Sequence, residues 1–405
     1  MQRADRALDS VMPMSRGSTV QAPIPDTVSV IRNTVVHVFR DPAISGSQRV
    51  ALDILGDPAL AKFRRVVICG SEAATSPQFF SEMERLGVER VHVDSLRREV
   101  GLHDFRAFLH LMRALIAMKP TLVHTHSVKP FVLAGLAATL LRVPCRIHTL
   151  HGTTFHKFTP FLSRILYFLL EQFASLFYHR IVSVNAHYRK FFPLARVRRT
   201  FQVIPNGIAL PRHLLKPVAH NGGEFAILFA GRLDDQKDPL FVLDVAESIT
   251  RYWKSDLVPR FYIAGSGPLT GRVAAEIVSR ELTDKVIMLG WVADLADRYA
   301  RARVLLLPSR WEACGLVLIE AAAHGCPAIA TSVEGVPEVI RHGYNGLLFQ
   351  QGNVAEACEC IALLAQDETY WQGLADRARI YARTRDKDTM IASYLGVYRK
   401  LGLRI

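Results

Sequence analysis

The sequence predicts an α/β protein with two doubly wound domains, each a parallel sheet covered by helices on both faces. Its 405 residues are too many for one ordinary core and suit two. Short runs rich in β-branched residues recur in both halves without the polar alternation of a sheet that has one wet face. Helix-length segments separate these runs, as in parallel strands joined by crossover helices.

Eleven runs are predicted strands. In the first half they lie at 35–38, 65–69, 90–93, 122–125, 145–148 and 180–184. In the second half they lie at 226–230, 260–264, 285–288, 302–307 and 327–330. The turn-forming sequence Ile204-Pro205-Asn206-Gly207 marks the expected boundary between the halves. Because such sheets bind ligands beyond the carboxyl ends of their strands, the site is expected in a cleft between the domains.

The chain divides into four predicted segments. Residues 1–26 form a polar, flexible tail, 27–208 the first Rossmann-like domain and 209–385 the second. Residues 386–405 are predicted to be a C-terminal helix.

Composition narrows the class of protein. Apolar residues make up 50% of the chain and charged residues 21%, which excludes wholesale disorder. No apolar run reaches the roughly 18 residues of a membrane-spanning helix, and the N-terminal segment lacks the apolar core of a secretory signal. The six cysteines are scattered without metal-ligand spacing. These features predict a cytoplasmic protein.

The net charge of +13 lies entirely in the first half. Residues 1–210 hold 27 Lys and Arg against 14 Asp and Glu, whereas 211–405 hold 23 of each kind. This asymmetry indicates an anionic partner for the first half: nucleic acid, an acidic membrane surface or a phosphorylated substrate. A solvated basic face is the alternative.

The stretch 158–179 is a predicted helix with an unusually wide apolar face. Its polar residues Arg164, Glu171 and Ser175 fall on one narrow stripe. Basic residues flank it along the sequence. Two interpretations fit this pattern: a helix that lies in a membrane interface, and a helix buried in the core or between domains.

A strand-turn-helix segment at 307–325 has the strongest chemical signal. Glu312 lies in the turn and Glu320 about one turn into the helix, so both carboxylates can face the cleft. The helix N-terminus between them offers free N–H groups and a positive dipole end, which suit a diphosphate. Gly325 is a typical helix end.

This segment resembles the E-x7-E element of the family 4 retaining glycosyltransferases, which have the GT-B fold of two Rossmann-like domains facing a central cleft. Further matching segments lie in the same order at 203–208, 229–238, 264–269, 289–292, 335–338 and 342–348. In the first half, 124–127 and 148–152 are similar to segments of bacterial surface-polysaccharide enzymes. The resemblance covers roughly residues 30 to 350.

The resemblance implies a role for each matching charged residue. Glu320 binds the ribose of a nucleotide-sugar donor, and Glu312 contacts the donor sugar. Arg232 and Lys237 neutralise the departing diphosphate, where preorganised cations stabilise the charge that develops during transfer. The alternative for both cations is a solvated loop with the acidic residues Asp234, Asp235 and Asp238.

Other roles follow from the same resemblance. The backbone around Gly315 and Leu316 holds phosphate, and Gly265 and Asn206 belong to the donor site. His151 faces the donor sugar at the cleft, where a histidine can donate to a sugar oxygen or move a proton.

The acceptor loop is assigned to Gly46 and Ser47, with His126 nearby.

The sequence departs from the family pattern after the first glutamate, where Ala313 and Cys314 replace a glycine and an aromatic residue. This departure bears on sugar selectivity. No cofactor and no bound metal are expected, since the family generally needs no metal.

These features together predict a retaining glycosyltransferase of bacterial exopolysaccharide, capsule or O-antigen synthesis. The expected donor is a UDP-sugar bound by the second domain, and the expected acceptor is an anionic lipid-linked or free saccharide bound by the first. The resemblance also implies that the 386–405 helix packs back across the domains.

The basic half and the 158–179 helix predict peripheral binding at the inner face of the plasma membrane. One alternative function is a nucleotide-sugar epimerase or hydrolase on the same fold. Another is a basic nucleic-acid-binding or non-catalytic protein, although no nucleic-acid recognition module occurs and no nucleic-acid partner is expected.

Overall fold

The structure, a computed structural model, describes residues 33–42, 46–70, 77–211 and 223–405. The predicted tail at 1–26 lies outside these residues. In the described part of the chain, two parallel sheets follow one another, each with helices on both faces. The predicted fold class is confirmed.

The first sheet has seven strands. They are β1 (Thr34–Val38), β2 (Arg64–Cys69), β3 (Glu89–His92), β4 (Leu122–Thr125), β5 (Cys145–Leu150), β6 (Arg180–Ser183) and β7 (Phe201–Val203). They are hydrogen-bonded in the order β3-β2-β1-β4-β5-β6-β7. Every pairing is parallel, so all the carboxyl ends meet at one edge.

The second sheet has six strands. They are β8 (Glu224–Ala230), β9 (Val258–Ala264), β10 (Val286–Gly290), β11 (Val304–Leu307), β12 (Ala328–Thr331) and β13 (Gly346–Phe349). Their order is β10-β9-β8-β11-β12-β13, again parallel throughout. The sequence did not predict β7 and β13, which are the short strands at one edge of each sheet.

Helices cover both faces of each sheet. In the first half they are α1 (Gly46–Leu55), α2 (Pro77–Arg85), α3 (His103–Met118), α4 (Val128–Leu140), α5 (Phe161–Ser175) and α6 (Ala195–Thr200). In the second half they are α7 (Pro239–Ser248), α8 (Thr270–Ser279), α9 (Ala296–Arg301), α10 (Leu316–Ala323) and α11 (Val336–Val339). The chain ends in α12 (Val354–Gln366), α13 (Glu368–Arg383) and α14 (Lys387–Lys400).

The C-terminal helix α14 returns to the first half of the chain. Asp386 caps it by accepting hydrogen bonds from the backbone N–H groups of residues 388 and 389. Its residues Met390, Tyr394 and Tyr398 are buried in the same apolar cluster as β1 and α1. A Cβ on Gly207 would lie 2.5 Å from the carbonyl oxygen of Asp386, so only glycine fits where the two segments cross.

Helix α5 turns its polar side toward the protein. Glu171, Gln172 and Ser175 are buried, whereas Leu162 is 78% exposed and Phe161 is 64% exposed. The outward face continues with the exposed residues Ile165, Leu166, Leu169, Leu170 and Phe173. The interpretation of this stretch as a fully buried helix is therefore wrong.

Among the described residues, none of the helices combines the length and the apolar character needed to cross a membrane.

Candidate active site

The turn between β11 and α10 holds Glu312 in a buried position. Glu312 is 7% exposed, and its Oε2 lies 3.3 Å from Oγ of the buried Ser309. Gly315 adopts φ 68°, a left-handed conformation that favours glycine, and Leu316 begins α10 immediately after it. The first N–H groups of α10 therefore open next to the carboxylate, as expected for a phosphate site.

Lys237 reaches Glu312 from the loop after β8. Its Nζ donates a hydrogen bond to Oε2 of Glu312, and its side chain is 16% exposed. Asp234 holds the loop in place, since its Oδ1 accepts from the backbone N–H of Lys237 at 3.1 Å. The alternative of a solvated loop therefore fails for Lys237.

Arg232 lies in the same loop but stands in solvent. Its Nε donates to Oδ2 of Asp234 at 2.6 Å, and its side chain is 66% exposed. The structure thus brings Lys237 to Glu312, whereas Arg232, exposed at the rim of the site and paired with Asp234, fits the alternative of a solvated loop.

Glycines line the carboxyl ends of β8, β9 and β10. A Cβ on Gly265 would lie 1.8 Å from the carbonyl oxygen of Gly231. The N–H of Gly265 donates to Gly290 at 2.7 Å, so the three loops are locked together without side chains between them. This arrangement leaves bare backbone at the sheet edge, where a ligand can approach closely.

Glu320 lies on α10 at the mouth of the cleft. Its Oε2 accepts a hydrogen bond from the hydroxyl of Tyr299 at 3.0 Å. Its Oε1 lies 3.8 Å from the guanidinium of Arg49, which stands on α1 in the first half. The sequence did not single out Arg49, because a lone arginine on a surface helix has no distinguishing pattern.

The assigned acceptor loop faces the same helix. Gly46 begins α1, and a Cβ built on it would lie 3.0 Å from Cδ1 of Leu316. Ser47 follows, with its Oγ donating to Oε1 of Gln48 at 2.7 Å. The N-termini of α1 and α10 therefore meet across the cleft, one from each half of the chain.

His151 follows β5 and is held by a buried neighbour. Its Nε2 lies 3.2 Å from Nδ1 of His126, whose Nε2 lies 2.9 Å from Nδ1 of His37. The structure places His126, assigned to the acceptor loop, behind His151: it is 3% exposed and stacks on Phe39. His126 therefore lies where it can position the ring of His151 through their hydrogen bond.

The hydrogen bonds continue to the C-terminal helix. The Tyr398 hydroxyl lies 3.2 Å from Nε2 of His37 and 2.7 Å from Nδ1 of His124. Nε2 of His124 lies 2.7 Å from Oγ1 of Thr149. Burial disfavours the charged ring and lowers the pKa of His37 and His151 to about 3. This series of side chains, the histidine network, is therefore uncharged at neutral pH.

A metal ion is a second possible use for part of this network. Ring nitrogens of His37, His124 and His126 lie within 4.8 Å of one another. Each of their ring nitrogens already has a hydrogen-bond partner. The geometry favours a hydrogen-bonded network, and the expected absence of a metal stays a prediction.

Asn206 lies at the junction of the two halves. It is 6% exposed, and within the described part of the chain its Oδ1 is buried without a hydrogen-bond partner. Asn185, which the sequence did not indicate, holds the neighbouring turn by donating from Nδ2 to the carbonyl oxygen of Ala313 at 2.6 Å. The departure from the family pattern at Ala313 and Cys314 thus lies in a buried contact between the halves.

Two family models match consecutive parts of the chain. The model described as Glycosyltransferase Family 4 matches residues 44–212, and the model described as Glycosyl transferases group 1 matches residues 213–385. They meet close to the predicted domain boundary.

Curated relatives cover most of the chain. UDP-Gal:alpha-D-GlcNAc-diphosphoundecaprenol alpha-1,3-galactosyltransferase of Escherichia coli is 26% identical over 351 residues, 82% of this chain and 88% of the relative. N-acetyl-alpha-D-glucosaminyl L-malate synthase of Bacillus anthracis is 25% identical over 283 residues, 68% of this chain and 74% of the relative.

A solved structure shares the fold. The Anabaena protein HepE, crystallised with UDP, superposes with a TM-score of 0.73 at 16% identity, over 91% of this chain and 100% of the other. The family models, the curated relatives and this shared fold agree. The chain belongs to the family 4 glycosyltransferases, enzymes of the GT-B fold that transfer sugars from nucleotide-sugar donors.

Proposed function

We propose that this enzyme is a retaining transferase that moves a sugar from a UDP-sugar to a lipid-diphosphate-linked saccharide during bacterial surface-polysaccharide synthesis. The observation that best supports a nucleotide-sugar donor is the pairing of Lys237 with the buried Glu312 beside the open N-terminus of α10. The choice of UDP and of a lipid-linked acceptor draws on the Escherichia coli relative, whose name specifies both.

In this proposal the second half binds the donor along α10. Glu320, oriented by Tyr299, accepts hydrogen bonds from the ribose hydroxyls. The diphosphate lies at the N–H groups that follow Gly315, over the bare backbone around Gly265. These dipoles are fixed before the reaction, so they stabilise the charge that grows on the leaving diphosphate without reorganising.

Lys237 and Glu312 act as a unit in the transfer. When a donor binds, the ammonium group of Lys237 can turn toward the diphosphate while Glu312 stays available to the sugar hydroxyls. Arg232, exposed at the rim, adds a second cation for the departing charge. Both cations favour the transition state over the ground state, because the diphosphate gains charge as the glycosidic bond breaks.

His151 serves as a neutral hydrogen-bond partner of the donor sugar. Since burial lowers its pKa to about 3, the ring is uncharged near neutral pH. It therefore orients the sugar or the attacking hydroxyl and adds no positive charge to the site.

The proposal includes peripheral binding to the inner face of the plasma membrane. The outward apolar face of α5 and the excess of basic residues in the first half support it. Apolar insertion and attraction to anionic lipid are each weak, and together they suffice for reversible binding.

Turnover with and without acceptor tests the proposed reaction. UDP-galactose and other UDP-sugars are incubated with a synthetic lipid-diphosphate-linked N-acetylglucosamine, and the anomeric configuration of the product is read by proton NMR. We expect acceptor-dependent release of UDP and an α-linked product. Donor consumption at the same rate without acceptor would instead identify a hydrolase or epimerase, and an inverted product would exclude retention.

A further inference from the structure

A cavity of about 520 Å³ lies beside the turn that carries Glu312. Its walls are largely apolar: Phe155, Phe161, Ile165 and Phe168 come from the first half, and Trp311 comes from the second. Trp311 precedes Glu312 in the chain. Glu312 is not one of its lining residues, so the cavity is separate from the proposed donor site along α10 and adjoins it through Trp311.

Three cations line the same cavity. They are Lys157 before α5, Arg164 on α5 and Arg310 in the turn after β11. Lys157 and Arg310 lie 5.2 and 4.6 Å from the centre of the Phe158 ring, so two like charges gather around one aromatic side chain. Because the face of an aromatic ring attracts cations, Phe158 holds both positive charges at the cavity.

In the described part of the chain, two of these three cations lack an acidic partner, and the third, Arg310, has a long ion pair. Within the described part of the chain, Lys157 and Arg164 form no ion pair. Arg310 has one acidic neighbour, Asp238, at 3.9 Å. Among the described residues that line the cavity, the carboxyl group is that of Glu334, which already accepts a hydrogen bond from the Tyr188 hydroxyl at 2.8 Å.

His156, another residue of the cavity wall, has a ring nitrogen that no described residue hydrogen-bonds. The ring of His156 stacks on Trp311 with centroids 4.1 Å apart. Within the described residues, its Nδ1 is buried without a hydrogen-bond partner. Buried polar atoms normally have a partner, so this nitrogen is an unsatisfied position beneath the cavity wall.

The apolar wall leads to the outer face of α5. Phe161 and Ile165 line the cavity and are also partly exposed on the helix, next to Leu162, Leu166 and Leu169. An extended apolar chain could therefore leave the cavity along α5 without crossing a polar surface. A soluble saccharide would not need such a path.

We propose that this cavity binds the diphosphate and the first isoprenoid units of the acceptor lipid. Lys157, Arg164 and Arg310 pair with the diphosphate, and the aromatic wall contacts the isoprenoid chain, which continues along α5 toward the bilayer. The acceptor sugar then lies at Glu312. This inference rests on the proposed function, because it assigns a site to the acceptor of that reaction.

Binding of farnesyl diphosphate, a short isoprenoid diphosphate, tests the site directly. The titration is done by tryptophan fluorescence on the full-length chain with saturating UDP, which occupies the donor site and prevents the probe from binding there. Farnesol is the probe for the isoprenoid part of the ligand, and inorganic pyrophosphate is the probe for its diphosphate part. We expect farnesyl diphosphate to bind about tenfold or more tightly than either, since only it uses both the cations and the apolar wall.

The double variant Arg164→Gln/Arg310→Gln should weaken farnesyl diphosphate binding about tenfold or more. Phe161→Ser should weaken the binding of farnesyl diphosphate and leave the affinity for pyrophosphate unchanged. The matched control is Arg301→Gln, which removes an arginine that is 70% exposed on α9 and does not line the cavity. The affinity of this variant for farnesyl diphosphate should equal that of the wild type.

Thermal stabilisation of each variant by UDP separates a failure of the cavity assignment from a failure of the proposed function. Retained stabilisation by UDP with unchanged farnesyl diphosphate affinity in the double variant would overturn the cavity assignment alone. Equal affinity for pyrophosphate and farnesyl diphosphate would overturn the isoprenoid part. A wild type that is folded but insensitive to UDP would overturn the proposed function itself.

Discussion

The carboxylate of Glu312 accepts a hydrogen bond from the ammonium group of Lys237, which joins the turn after β11 to the loop after β8. Their side chains are 10% and 16% exposed, so each charge depends on the other for compensation. The pair therefore holds two charged groups in place beside the N-terminus of α10, where we propose that the diphosphate binds.

Removing one member of the pair should harm both stability and turnover. Lys237→Met leaves Glu312 buried and unpaired, and we expect a loss of about 1–3 kcal/mol in the free energy of unfolding. The turnover number should fall about 100-fold or more, as for loss of a preorganised charge at the leaving group. Urea unfolding and steady-state kinetics measure the two effects.

The double variant Lys237→Met/Glu312→Gln provides the control. Because no uncompensated charge remains, it should be more stable than Lys237→Met alone. A double variant whose losses are the sum of the two single losses would show that the pair is not coupled.

The contact between His126 and His151 should set the tautomer of His151. Tyr398→Phe removes the hydroxyl that hydrogen-bonds to both His37 and His124, at the far end of the histidine network. We expect the ¹⁵N chemical shifts of the His151 ring to change, together with a loss in the turnover number and little change in KM for the donor. Tyr394→Phe, whose hydroxyl lies 3.4 Å from Thr149 Oγ1 at the edge of the network, is the matched control. Unchanged His151 shifts in Tyr398→Phe would contradict this coupling.

Acidification should destabilise the fold through the same histidines. Burial lowers the pKa of His37 and His151 to about 3, while an unfolded histidine titrates near 6.5. Between these values the unfolded chain binds more protons, so stability is full above pH 6.5 and is lost as the pH falls. Each such histidine contributes about 1.4 kcal/mol per pH unit in that window. Urea unfolding at pH 7 and pH 5.5 should show the loss, and His37→Gln should reduce it; an unchanged midpoint would contradict it.

Glu171 should produce the opposite pH dependence. It is buried on the inward face of α5, where its Oε1 accepts a hydrogen bond from the Thr154 hydroxyl at 3.0 Å, and burial raises its pKa to about 7. The folded chain therefore binds the proton more tightly than the unfolded chain, and this contribution to stability declines as the pH rises from about 4.5 to 7. We expect Glu171→Gln to raise the melting temperature at pH 8 and to have little effect near pH 5. Equal effects at both pH values would contradict the raised pKa.

The outward face of α5 should control membrane binding. Leu162→Gln/Leu166→Gln removes two exposed leucines, each worth about 1.5 kcal/mol or more when inserted in an apolar phase. The fraction sedimenting with phosphatidylglycerol vesicles at low salt should fall about tenfold or more, with no loss of thermal stability. Val278→Gln, at a position 67% exposed on α8, is the matched control. Equal sedimentation of both variants would contradict a membrane role for α5.

Hydrophobic patterning predicted most of the fold because buried parallel strands are continuous apolar runs. It missed β7 and β13, which lie at the sheet edges and have three and four residues. In β7 the polar Gln202 interrupts a run of only three residues, and β13 begins with a glycine, which weakens the pattern of a strand. The pattern also located the helix at 158–179 without showing that its polar stripe faces inward, since the same periodicity fits either orientation.

From residue patterns alone, the site was predictable only where it is contiguous in the sequence, and the family resemblance added Lys237 and His151. Glu312, Gly315 and Leu316 lie in one segment, and their strand-turn-helix setting is visible from the residues. The links between distant segments are not: Lys237 meets Glu312 across 75 residues, and His124 meets Tyr398 across 274. Such contacts depend on how the two halves and α14 pack.

Binding of UDP and its sugar conjugates to the wild type and to Glu320→Gln tests the central claim most directly. Calorimetric titration of both proteins, each verified as folded, should show binding by the wild type and an affinity about tenfold or more lower in the variant, because a charged acceptor to the ribose is lost. Equal affinities in the two proteins, or no binding of any UDP compound to the wild type, would contradict a donor site on α10.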